Sequence, residues 1–193
     1  GSCPPGPWVK ATAVADALSR ADGDILVLAD ADVICDDIGL ALDAVECGAA
    51  WAMPHGKVHR LTKDASVAVM AGAVPGSALG GLDRKPYRGY EGGGLTVIPR
   101  ESYERVPLDP RFAGWGSEDE AVALAWNTLL GRRWRGIAPL WHLWHPPQPR
   151  LNKHIGSVES NALLVRYQYA AKDGPAAMRS LIDEFAPNTA RTA

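Results

Sequence analysis

The alternation of apolar and polar positions changes period several times along the first fifty residues. From Lys10 to Arg20, Ala11, Val14, Ala15 and Leu18 recur at helical spacing, and Asp22-Gly23-Asp24 ends the pattern. An unbroken apolar run, Ile25-Leu26-Val27-Leu28-Ala29, follows and stops at Asp30-Ala31-Asp32. Such a run predicts a strand buried on both faces of a sheet. Asp36 and Asp37 then stand as N-cap and first-turn acids of a helix through Cys47, with Ile38, Leu40, Ala41, Leu42 and Val45 as its apolar face. Gly48 suits the residue just past that helix, and Ala49–Met53 reads as a second buried strand closed by Pro54. The order helix, strand, helix, strand predicts an α/β sheet with a parallel, right-handed crossover.

Farther on the pattern weakens. Lys57–Leu61 reads as a short strand, and Ala65–Ala71 as a short helix or strand. Gly72–Gly94, rich in Gly, Pro and charge, reads as a long loop, either functional or disordered. Leu95–Ile98 is a strand stopped by Pro99, and Arg100–Arg105 a short helix. Ser117 and Glu120 have capping-box spacing ahead of the apolar-rich run Ala121–Leu130, which Gly131 stops. Ile137–Trp144 reads as a strand. Val158–Ala171 and Pro175–Phe185 read as helices, and Gly1–Pro7 as a loop. These elements divide into a main domain over 1–150 and a helical extension over 151–193 packed on it.

Bulk composition narrows the classes. A chain of 193 residues, 47% hydrophobic and 22% charged, fits one globular domain with a sizeable core. No apolar run approaches the roughly 20 residues of a membrane span. A net charge of −2 supplies no global field for nucleic acid, and the local cluster Arg132, Arg133 and Arg135 reads as a solvated turn. Cys3, Cys35 and Cys47 form no metal-ligand spacing and no disulfide framework, which fits a reducing cytoplasm.

Candidate chemistry begins where the Ile25 strand ends. Buried carboxylates cost several kcal/mol unless paired or bound to a cation, so Asp30 and Asp32 belong at the strand's carboxyl end, where open α/β sheets bind ligands. On a strand, positions i and i+2 share a side, so the two acids converge as hard oxygen ligands suited to Mg²⁺ or Mn²⁺. Two solvated acids at a strand end are the plainer alternative. Glu118 and Asp119 fall in the first turn of the Ala121 helix, where acids are favoured in any case. His142 and His145 bracket Trp144 at another strand end before Pro146-Pro147. Three residues apart, they would face opposite ways on a true strand, so one of them reaches a site.

Together these motifs resemble the GT-A-fold glycosyltransferases. Asp24–Asp32 resembles the strand and Asp-x-Asp signature, and the Lys10–Arg20 helix is similar to the stretch before it in family 2 enzymes. Gly92-Gly93-Gly94-Leu95-Thr96-Val97 resembles the glycine-rich strand beneath the donor sugar. Gly114-Trp115-Gly116-Ser117-Glu118-Asp119-Glu120 resembles the Trp-Gly-x-Glu-Asp motif of the β-1,4-galactosyltransferase C-terminal domain and of bacterial chondroitin-type transferases. The run Trp141-His142-Leu143-Trp144-His145-Pro146-Pro147 is similar to the late histidine that ligates metal there.

The resemblance implies a Rossmann-like, mixed but mainly parallel sheet flanked by helices. Only 24 residues precede Ile25, so a GT-A domain would be truncated at its N-terminus here. The implied activity is inverting, metal-dependent transfer from a nucleotide-sugar, UDP-linked by preference, to the hydroxyl of an unidentified acceptor. By the same resemblance Mn²⁺ or Mg²⁺ is held by Asp32 with Asp30 and one histidine, His142 before His145. Asp119 is the base and Glu118 orients a sugar. Trp115 offers a stacking face, Gly93 and Gly94 let backbone approach the donor, and Lys10 and Arg88 join the donor and acceptor contacts. Arg84, Lys85 and Arg88 lie on a candidate lid that meets the diphosphate. Two other readings remain: a non-catalytic GT-A-like remnant that binds a glycan or partner, and a sugar nucleotidyltransferase, which lacks support in any early Gly-rich phosphate loop.

Overall fold

The computed structural model describes residues 7–77, 81–146 and 157–186. The sequence expectations for Gly1–Gly6, Pro147 and Asn152-Lys153-His154 fall outside them. Seven helices and six strands are formed: α1 (Lys10–Leu18), β1 (Ile25–Ala29), β2 (Val33–Ile34), α2 (Ile38–Glu46), β3 (Ala52–Arg60), α3 (Lys63–Met70), β4 (Tyr87–Arg88), β5 (Leu95–Pro99), α4 (Arg100–Arg105), α5 (Glu118–Leu129), β6 (Trp134–His142), α6 (Val158–Asp173) and α7 (Pro175–Asp183). By contacts the chain forms two compact units, one holding the whole sheet with α2 and α3, the other α1 and α4 to α7.

In the sheet unit the strand order is β1-β5-β3-β6-β2, with β4 paired to β3. The sheet is mixed, and among the described strands β3 and β6 form its single parallel pair. The expectation of a mainly parallel sheet is therefore corrected. Both β1 and β3 run antiparallel to β5. They share a direction, as the helix between them requires, but β5 occupies the place between them and removes the parallel contact. The expected burial of β1 on both faces is also corrected. Among the described residues β1 pairs on one side only, and Val27 is 43% exposed. An apolar run of five residues does not distinguish an edge strand from a central one.

The fully buried strand is β3, where Trp51, Ala52 and Met53 have no exposed surface. It continues through Pro54, where the sequence suggested a stop, and absorbs the separate strand expected at Lys57–Leu61. Register shifts at Met53/His55 and His55/Lys57 accommodate the proline, as bulges do in a ladder that lacks a donor. The opposing Gly136 leaves no alternative, since a Cβ there would lie 2.1 Å from the Pro54 carbonyl oxygen. Ala41 and Val45 of α2 pack with Val58, Leu95, Val97 and Leu140. Gly48, at φ 98°, ends α2 as expected. A second cluster, Leu61, Ala65 and Val69, seats α3 against Ile34, Trp141 and Leu143.

In the helical unit, α5 packs against α6 and α7. Buried Asp109 receives the Tyr167 hydroxyl at 2.9 Å and the Arg111 guanidinium, which also reaches Glu184. The Trp126 indole donates to the Val106 carbonyl at 2.8 Å. These bonds fix the 106–112 segment to three helices.

Candidate functional site

β1 ends at Ala29, and its next residue is tied down immediately: the Asp30 amide donates to the Gly94 carbonyl at 2.8 Å. The chain then turns, so Asp32 lies on a turn and not on the strand, and the i, i+2 rule invoked for Asp30 and Asp32 does not apply to them. β2 follows and pairs with β6, Val33 opposite His142 and Ile34 opposite Trp141. The Leu143 amide donates to the Asp32 carbonyl at 2.8 Å. Asp32 is thereby fixed beside the end of β6.

The Asp32 Oδ2 atom lies 3.6 Å from His142 Nε2 and 3.2 Å from His145 Nε2. The two imidazole centroids are 5.2 Å apart. Both histidines reach the carboxylate, which corrects the expectation that one would. β6 stops at His142, so the two-residue alternation has ended before His145. His142 Nδ1 is 2.7 Å from the Leu143 carbonyl and His145 Nδ1 is 2.8 Å from that of Pro146. A carbonyl only accepts, so each Nδ1 carries a proton, which leaves Nε2, the atom facing Asp32, as the ligating position. This is the tautomer and support that metal-binding histidines require. Burial pushes the His142 imidazole below its ordinary pKa, against the pull of Asp32, and Arg60 adds to the depression. A neutral ring is the ligating form.

One ligand atom from each of Asp32, His142 and His145 lies within 4.8 Å of the other two. Ligands about 2.0–2.2 Å from one ion are separated by roughly 3–4.4 Å, so the three groups fit a divalent cation with modest closure. Asp30 is not among them. Its carboxylate acts electrostatically on His55, which is fully buried with neither ring nitrogen hydrogen-bonded.

Gly94, at φ 78°, would bring a Cβ within 2.4 Å of Leu140 Cδ2, so the core itself demands this glycine. The Gly93 carbonyl accepts from Leu95 at 3.1 Å. Arg88 is exposed on β4 opposite Lys57. Arg84 is paired with Asp83. Arg60, which sequence reasoning passed over, closes β3 in register with His142. Its signal in the sequence was slight: one arginine after Val58-His59, with no motif around it.

In the helical unit, Glu118 and Asp119 open α5 as expected, and Lys10 Nζ lies 2.8 Å from Asp119 Oδ1. The expected capping box is not formed. Ser117 has φ 75°, a left-handed conformation, and its hydroxyl donates to Asn161 Oδ1 at 3.3 Å. Trp115 is 55% exposed, and the Gly114 amide before it donates to the Trp8 carbonyl at 2.7 Å.

No family model matches this sequence, and no curated protein matches it. Among solved structures, the chain is similar to GalNAc-T7 with UDP, GalNAc and Mn²⁺, at a TM-score of 0.56 and 15% identity over 86% of this chain. The chain spans 37% of the length of that protein. The likeness is one of fold alone: a mixed α/β sheet with helices, similar to that of GalNAc-T7.

Proposed function

We propose that this chain is a divalent-metal-dependent glycosyltransferase that moves a sugar from a nucleoside diphosphate to an acceptor hydroxyl with inversion. Fold alone does not carry that reading. The observation that carries it is the Asp32, His142 and His145 group, with both Nε2 atoms converging on one carboxylate oxygen in a GT-A-like sheet. GalNAc-T7, a structural neighbour, is bound to UDP and Mn²⁺, which favours a nucleotide-sugar donor and Mn²⁺ here, with Mg²⁺ as the alternative.

When bound, the ion acts as a Lewis acid that offsets the negative charge growing on the departing diphosphate. Asp32 and the two histidines would hold it. An acceptor hydroxyl ionises far above neutral pH and needs a base. That role is assigned to Asp119, with Glu118 orienting a sugar, and a base separate from the leaving group makes the displacement inverting. Trp115 offers an exposed indole face of the kind sugars stack on.

Calorimetric titration with a panel of UDP- and GDP-sugars, with and without Mn²⁺, tests this directly. One donor is expected to bind only with Mn²⁺, and Asp32→Ala should abolish that binding. Binding of no donor at all would leave the fold as a non-catalytic relative and sink the proposal.

A further inference from the structure

We propose that Arg60 forms, with the Asp32, His142 and His145 group, a built site for a diphosphate. The inference rests on the metal-dependent reading above, but on different observations. β3 and β6 run parallel, with His59 opposite Trp141 and Arg60 opposite His142. Successive side chains on a strand point to opposite faces. The His59 and Trp141 rings meet on one face, with centroids 4.7 Å apart. Arg60 and His142 therefore share the other face, at the strand ends beside which Asp32 and His145 lie. The backbone there is pinned, since the Asp83 amide donates to the Arg60 carbonyl and the Leu61 amide to the His142 carbonyl, both at 2.9 Å.

The guanidinium is the unusual part. Among the described residues, six arginines are partly buried, and five of them have a protein partner. Arg100 donates to the Gly23 carbonyl, Arg111 to Asp109 and Glu184, Arg135 to the carbonyls of His55 and Gly89, and Arg179 to the carbonyl of Arg105, while Arg133 is paired with Glu91. Arg60 alone has neither a hydrogen bond nor an ion pair from its side chain. Arg60 is half-buried with its guanidinium still reachable from solvent, and planar bidentate recognition of phosphate is what this group does best.

Its location is also wrong for a bare cation site. On the face it shares with His142 it would be a like charge to the ion. One carboxylate against a divalent ion leaves one positive charge uncompensated, and Arg60 adds another. A diphosphate bridging ion and guanidinium would answer both, so Arg60 oppose the ion alone and favour the ion with its anion.

The test uses titrations of Mn²⁺, then of inorganic pyrophosphate, UDP and uridine, into wild type, Arg60→Gln and Arg60→Lys. Arg60→Gln is expected to bind Mn²⁺ as tightly as wild type or about 3-fold more tightly, having lost a like charge. In Mn²⁺ it should bind pyrophosphate and UDP at least ~10-fold more weakly, with Arg60→Lys between the two. Uridine binding should be the same in all three proteins. Undiminished pyrophosphate binding by Arg60→Gln, loss of its Mn²⁺ affinity, or absence of Mn²⁺-dependent pyrophosphate binding in wild type would each overturn the inference. Pyrophosphate binding that depends on Arg60, with no binding of any nucleotide-sugar, would sink the proposed activity and leave this site standing. Donor binding that ignores Arg60 would do the reverse.

Discussion

The Lys10 ammonium stands 2.8 Å from the Asp119 carboxylate, an ion pair joining the first residue of α1 to the first turn of α5. Sequence reasoning gave Lys10 a place among donor and acceptor contacts. The pair adds a second one, holding the carboxylate proposed as the base. Both side chains keep a fifth to a third of their surface in water, so the pair itself adds no more than about 1 kcal/mol to stability. Lys10→Met is thus expected to unfold in urea within about 1 kcal/mol of wild type. Turnover should fall roughly 10-fold, with donor affinity unchanged, because only orientation of the base is lost. Asp119→Asn should also spare donor binding, but remove transfer. Loss of donor binding in Lys10→Met would return Lys10 to the role the sequence suggested.

His55 links the core of the sheet to pH. Burial, with Arg135 adding, pushes its pKa down from 6.5 to about 4, against a smaller pull from Asp30. The folded state therefore prefers the neutral ring, while the unfolded chain takes up a proton below pH 6.5. Stability from this group is fully present above pH 6.5 and is lost as pH falls toward 4. The shift corresponds to about 3 kcal/mol across that window. Neither ring nitrogen is hydrogen-bonded, so His55→Leu removes the acid sensitivity without orphaning a partner. Urea unfolding at pH 7 and pH 4.5 should show a drop smaller than that of wild type by about 2 kcal/mol. An equal drop in both proteins would exclude His55 as its source.

Metal affinity should separate the carboxylates that the sequence treated as a pair. His142→Ala, His145→Ala and Asp32→Ala are each expected to weaken Mn²⁺ binding by about 100-fold, since each removes one of three ligands. Asp30→Ala should weaken it by less than about 5-fold, because Asp30 lies outside the converging group. In wild type, Mn²⁺ at 100 times its Kd should add about 2.7 kcal/mol to stability, reversed by chelator. Affinity should fall with acid, as protons compete for the imidazoles. If Asp30→Ala loses as much affinity as Asp32→Ala, the ion is bound farther along the turn than these distances indicate.

What the sequence disclosed and what it hid divide along one physical line. Periodicity and terminators are local, so α1, α4, α5 and the ends of α2 were legible from Ala11, Val14, Gly48 and their like. Pairing is not local. Nothing in Ile25–Ala29 distinguishes a strand beside β5 from one between two parallel neighbours, and only the fold puts β5 there. Pro54 read as a stop because the bulge that absorbs it needs Gly136, eighty residues away. The candidate site follows the same rule. Asp32 and the histidines stood out by residue type, yet whether one or both histidines reach Asp32 depended on where β6 ends. Arg60 carries no local signature, and its place opposite His142 exists only through strand register.

Tyr167 and Asp109 allow a prediction about the helical unit alone. The Tyr167 hydroxyl donates to the buried Asp109 carboxylate at 2.9 Å, and Arg111 grips the same carboxylate. A hydrogen bond to a charged group contributes about 1.5–3 kcal/mol, and Tyr167→Phe should lose that much near neutral pH. Asp109→Ala should lose more, about 3–5 kcal/mol, because it leaves the Arg111 charge without its buried partner. Burial first, then the charge of Asp109 and the bond to it, raise the Tyr167 pKa above its ordinary value of 10.0. The folded protein keeps this phenol protonated where the unfolded chain ionises it. Its contribution is complete below pH 10 and is lost as pH rises beyond that. Tyr167→Phe has no proton to lose, so its stability should fall less steeply than that of wild type above pH 10. Urea unfolding from pH 8 upward measures both effects. Parallel alkaline limbs in the two proteins would mean that Tyr167 ionises as freely folded as unfolded, and that the bond to Asp109 does not hold it.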